Sequence, residues 1–157
     1  MAATTVTTTN FTTEATPATI AKGGAIGIGL ALIANVAIYL VGNSGAPLQV
    51  VMSGDTAASD LLIGFVVGAS LLPLVIAAAG LWVFERFLPN GFRLWAGTVA
   101  VLAVATIAAP VSLDVDTSSK VALALMHIAV GAAAIAGQAL ARRAPDSSRP
   151  GTERVAP

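Results

Sequence analysis

Four stretches of the chain, residues 23–41, 61–84, 94–113 and 121–141, run for 19, 24, 20 and 21 positions without a single Lys, Arg, Asp or Glu. Their few polar residues trace no charged stripe, so the helices they predict are apolar all round rather than amphipathic. At 1.5 Å per helical residue each covers roughly 30 Å, the thickness of a bilayer's hydrocarbon core. The pattern predicts an all-α fold, a bundle of four transmembrane helices. Such a protein is multi-pass and has the lipid bilayer as its first partner.

Between and around the runs the chain is polar. Residues 1–19 hold eight threonines in the first sixteen positions, with Glu14 and Pro17, and cannot bury a core. They read as a disordered tail, as does the Arg-, Pro- and Ser-rich segment 144–157. In that reading the membrane domain is 20–143, and Arg142 and Arg143 hold the start of the C-terminal tail beside anionic lipid. The N-terminal segment lacks the basic region of a signal peptide, and Pro47 follows directly after the one cleavage-like Ser44-Gly45-Ala46, so the first run is expected to stay in the membrane. Asn10-Phe11-Thr12 matches a glycosylation sequon, a weak motif in threonine-rich sequence. Pro89-Asn90-Gly91 marks a tight turn between the second and third helices.

Charge sets the expected orientation. Lys22, Arg86, Arg93, Arg142, Arg143, Arg149 and Arg154 fall at the N-terminal flank, the second loop and the C-terminal tail, against Lys120 alone in the other two loops. Seven against one places both termini and the second loop in the cytoplasm. The opposite loops carry Asp55, Asp60, Asp114 and Asp116, with Asp60 and residues 117–119 positioned as helix caps. Trp82, Phe84, Phe87, Phe92 and Trp95 crowd one level like an interfacial aromatic belt, with Tyr39 as a counterpart on the far side. The formal net charge of zero offers no field for nucleic acid, and the absence of cysteine removes disulfides and thiolate chemistry.

Inserted helices gain little by burying apolar surface from lipid, so close backbone approach and interhelical hydrogen bonds must join them. The first run carries Gly23, Gly27, Ala31 and Asn35 at four-residue spacing. The second carries Gly64 and Gly68, and the fourth carries His127, Gly131, Ala134 and Gln138. These stripes predict helix contacts within the chain, or a homo-oligomer through one of them. Pro73 and Pro110 free the carbonyls of Ala69 and Thr106; a static kink is expected at Pro73 rather than a hinge, with Ser70 helping the opened backbone.

One polar residue per helix, Asn35, Ser70, Thr106 and His127, falls within a slab about 4 Å thick by helical rise, roughly 9 Å below the outer surface. Two readings are open. In one the four form a structural hydrogen-bond layer, with His127 donating to Asn35 or a backbone carbonyl. In the other His127 floors an outward-facing polar pocket, since an intramembrane ionisable group often marks a substrate or proton path. One histidine with an amide and hydroxyls is too poor a ligand set for zinc or copper, so no metal or other cofactor is expected.

The last helix, "LALMHIAVGAAAIAGQAL" running into Arg142-Arg143, combines with four spans, a proline late in the third and an acidic loop before the histidine helix. In these features the chain resembles the small bacterial four-helix membrane proteins catalogued as domain of unknown function 6069, over residues 20–143. The resemblance implies a protein of the bacterial inner membrane and brings no reaction or ligand. The residues themselves hold no paired intramembrane carboxylates and no Ser–His–Asp grouping. The expected function is therefore non-enzymatic: an accessory or structural subunit acting by helix association, as a homo-oligomer or with another membrane protein. The alternative is a small oligomeric transporter or channel with its polar site at His127 and Asn35.

Reporter fusions test the orientation. A fusion after Arg143 should be active on the cytoplasmic side and one within 46–59 on the opposite side. The same side for both would exclude four spans.

Overall fold

The computed structural model describes residues 15–51 and 57–143. In chain order it comprises α1 (Pro17–Gly42), β1 (Gln49–Val50), β2 (Ser59–Asp60), α2 (Ile63–Phe87), α3 (Gly91–Ala105), α4 (Ala108–Ser112) and α5 (Thr117–Arg143). Among the described residues four spans are long and apolar enough to cross a membrane: α1, α2, α3 with α4, and α5. Ile33, Val41, Leu72 and Phe87 point outward and are between 65% and 74% exposed, as faces that meet lipid should be.

Several helix ends lie beyond the apolar runs, for local reasons. α1 starts at Pro17 rather than near Gly23, because Thr16 caps it by accepting from the Thr19 amide at 3.2 Å and proline suits the first turn. Residues 17–19 are thus helical, contrary to the expected tail; 1–14, with the sequon, and 144–157 lie outside the described residues. α5 starts at Thr117 because Asp116 accepts from the Ser119 amide at 2.9 Å. Asp116 is the cap, and 117–119 form the first turn of the helix. Asp60 caps nothing: it lies exposed in β2, and Leu62, without a side-chain bond, occupies the cap position of α2.

The third run is interrupted. Pro110 has no N–H for the Thr106 carbonyl, which instead accepts from Ala109 at 3.2 Å, while the Ile107 amide reaches back only to Val104 at 3.1 Å. Two consecutive tightened turns end α3 and restart the chain as α4. α2, by contrast, continues through Pro73. Between α2 and α3, Asn90 adopts the left-handed conformation (φ 58°) that closes the predicted tight turn.

The helices alternate in direction, and the most extensive contact is between α1 and α5. The predicted stripe makes it: Gly23, Gly27, Ala31 and Asn35 are all buried. A Cβ added to Gly27 would lie 3.0 Å from the Ala133 carbonyl oxygen, and one on Gly137 only 2.5 Å from the Gly27 nitrogen. Gly131 performs the same service toward α3, where its Cβ would meet that of Ala103 at 2.5 Å. Gly64 and Gly68 are a correction. Both are exposed with nothing within 4 Å of an added Cβ, because α2 turns Val66, Ser70 and Leu74 inward instead. A glycine pair thins a helix face without determining which face packs inward; here the hydroxyl and the larger apolar groups do.

Two apolar clusters fill the interior. One joins Ile20, Ala31, Leu74, Leu81, Trp95, Ala133 and Ala134. The other lies at the far end, where Leu48 and Leu61 from the first loop cover Val66, Leu123 and Met126. Trp95 therefore leaves the expected belt: it is 2% exposed and donates to the Ala77 carbonyl at 2.8 Å, while Tyr39, near the outer end of α1, is half-buried, with one side on the second cluster and its hydroxyl accepting from Asn43. Trp82 and Phe87 remain outside.

The contrast between the glycines is measurable. Gly137→Leu should destabilise the detergent-solubilised protein by about 1–3 kcal/mol or more through overpacking, whereas Gly68→Leu should leave monomer melting unchanged. Equal effects would mean that α1 and α5 do not meet on this face.

Candidate functional site

The four expected polar residues do not form one layer. Asn35 of α1 and Ser70 of α2, each 2% exposed, are joined across the helices by Asn35 Nδ2 donating to Ser70 Oγ at 2.7 Å. Ser70 has one hydroxyl proton and directs it to the Val66 carbonyl at 2.6 Å, so its lone pair must accept from the amide. That orients Asn35, with Oδ1 facing away and without a partner among the described residues. It also corrects the expected role of Ser70, which serves the carbonyl of Val66 rather than that of Ala69.

His127 and Thr106 go elsewhere. His127 Nδ1 lies 2.7 Å from the Leu123 carbonyl one turn earlier on its own helix, and its side chain is half-buried. Thr106 is exposed and donates to Leu102 at 2.8 Å, also within its helix. A side chain that bonds the preceding turn is satisfied without any interhelical partner, so equal depth does not compel four groups to converge. Met126, not His127, is the member of that pair that enters the apolar cluster.

A second amide performs between α1 and α5 what Asn35 performs between α1 and α2. Gln138 is buried and donates from Nε2 to the Ile20 carbonyl at 3.0 Å. It borders a cavity of about 10 Å³ shared with Gly23, Gly27 and Trp95, room for about one water. Among the described residues no three His, Asp or Glu side chains converge as metal ligands would.

The charged groups are sorted by end. At one end Arg142 forms an ion pair with Glu85, both largely shielded, and its guanidinium stands 4.3 Å over the Phe92 ring. The second Glu85 oxygen accepts from the Ala15 amide at 3.2 Å. Arg142 therefore belongs to the folded domain, not to a tail lying on lipid. Four alternating spans put the ends of α2 and α5 on one side of the membrane, and the packing of the bundle then brings Glu85 and Arg142 together. At the other end the hairpin of β1 and β2 is tied down by backbone amides: Leu48 donates to Asn43 Oδ1 at 2.8 Å and Gln49 to Ser119 Oγ at 2.8 Å. Ser119 in turn donates to Asp116 Oδ2 at 2.5 Å, and Ser118 also bonds this carboxylate.

Those hydroxyls, Ser118 first and then Ser119, hold the Asp116 carboxyl down from 3.8 to about 2. A depressed acid favours the folded state above its unfolded value, and that contribution disappears as pH falls through about 2. Two-residue strands carry little sequence signal, but the Gly137 contact does carry one. Gly137 follows Ala134 by three positions and could have been added to the α5 stripe on spacing alone.

The family model described as "Family of unknown function (DUF6069)" matches residues 15–146. No curated protein and no solved structure matches the chain.

A double-mutant cycle tests the division of the polar set. Asn35→Ala with Ser70→Ala should show a coupling of about 0.6–1.7 kcal/mol, the range for hydrogen bonds between membrane helices. Asn35→Ala with His127→Ala should be additive. Coupling of the second pair as strong as the first would restore the single layer.

Proposed function

Because the chain belongs to this family of unknown function, with four candidate membrane helices, we propose from its own geometry that it is a non-enzymatic integral membrane protein acting by helix association. In this reading it is an accessory or structural subunit of the bacterial inner membrane, with both termini cytoplasmic. The observation that carries the proposal is the use made of the intramembrane polar groups. Asn35, Ser70 and Gln138 bond across or along the packed helices, and His127 and Thr106 bond their own preceding turns. Each makes at least one hydrogen bond that holds its helix or the bundle together.

The outward faces support the same reading. Gly64 and Gly68 leave a thinned strip on the lipid side of α2, where another helix would approach closely, whether from a second copy or from a different membrane protein.

Reconstitution tests the transporter alternative. Purified protein in proteoliposomes should produce no proton or solute flux above that of protein-free vesicles. A flux that His127→Ala or Asn35→Ala abolishes, with the fold intact, would overturn the proposal and favour a conducting oligomer.

A further inference from the structure

The cationic end of the bundle has one acid for five bases among the described residues. Lys22, Arg86, Arg93, Arg142 and Arg143 lie there with Glu85, whereas Asp60, Asp114 and Asp116 stand with Lys120 at the other end. Both Glu85 oxygens are engaged: one pairs with Arg142 and the other accepts from the Ala15 amide. Arg142 is held from its other side by the Phe92 ring. The remaining four bases are exposed and take part in no ion pair among the described residues. Arg86 and Arg93 stand out, because they flank the tight turn between α2 and α3. Between them Phe87 and Leu88 are 70% and 42% exposed, and Trp82 and Leu94 beside them are 50% and 48% exposed.

We propose that this turn, with Arg86 and Arg93 as its principal ligands, is a docking surface for the phosphate headgroups of anionic phospholipids. The apolar residues place the turn in the membrane interface, where aromatic rings favour the headgroup level. The two guanidiniums then stand at phosphate depth, with planar donor forks that match phosphate oxygens. A zwitterionic lipid brings a compensating cation into this field, and an anionic lipid does not. The surface commits to lipid rather than a soluble anion because exposed apolar side chains border both arginines. The pairing of Arg142 with Glu85 keeps the acid from neutralising them. The proposal is independent of the association function and of which way the protein faces.

Trp82 provides the probe, since it lies one turn from Arg86, while Trp95, the other tryptophan, is 2% exposed. The full chain is reconstituted in mixed vesicles of phosphatidylcholine and phosphatidylglycerol, with bromine on the acyl chains of one class at a time. Quenching by the brominated phosphatidylglycerol should exceed that by the brominated phosphatidylcholine at equal mole fraction. Arg86→Gln with Arg93→Gln should lower this preference by up to about fivefold for each charge removed, Lys replacements, which keep the charge but lose the fork, should retain only part of it, and Lys120→Gln should leave it unchanged. Equal quenching by the two lipids in the unmodified protein, or a preference that survives the double glutamine variant, would overturn the proposal. So would loss of the preference on adding inorganic phosphate at ionic strength matched with chloride, which would assign the arginines to a soluble anion.

Discussion

Everything else in this structure depends on how closely α1 and α5 approach. In lipid neither helix gains by hiding leucine from its surroundings, so contact must come from dispersion between backbones and from the few hydrogen bonds that close approach permits. Gly23, Gly27 and Gly137 remove the side chains that would hold the helices apart, to the point that a methyl on Gly137 would collide with α1. The same proximity brings Gln138 to the Ile20 carbonyl. Packing and hydrogen bonding are here one arrangement: without the glycines the amide would have no partner in reach.

The other helices are added to this pair by different devices. α2 is attached in the interior by Ser70 and Asn35, and toward one end by Trp95 of α3 reaching the Ala77 carbonyl. At that end the Glu85–Arg142 pair ties α2 to α5 and the cation–π contact ties α5 to α3. At the opposite end Asp116 caps α5 and orients Ser119, which holds the hairpin that covers the second apolar cluster. A polar clamp at each end and two amides in the interior give the bundle directional contacts that its apolar surfaces cannot supply.

This distribution explains why an intramembrane histidine does not by itself make a site. An imidazole bonded to the carbonyl of its own preceding turn has one nitrogen satisfied wherever the helix faces. The rotation of α5 is then set by Gly131, Ala134 and Gly137, which must face α3 and α1, and His127 follows. Intramembrane polarity here contributes to assembly, through the Asn35–Ser70 and Gln138–Ile20 bonds.

The number of spans, their apolar character, the tight turn at Asn90 and the inward face of α1 were legible in the sequence, because each depends on residues close together in the chain. Charge-free length reports a bilayer crossing, and four-residue spacing of small residues reports one helical face. The sequence also determined that Pro110 would disturb the third span, though not that the helix would divide. Tertiary structure alone decided which small stripes face inward: Gly23 and Gly27 do, while Gly64 and Gly68 do not, since helix rotation is a compromise among all neighbours. It likewise decided which polar residues meet. Depth along a helix follows from counting residues, but azimuth follows from packing, so Asn35 found Ser70 and not His127. Glu85 and Arg142, 57 positions apart, pair only because the bundle places the ends of α2 and α5 side by side.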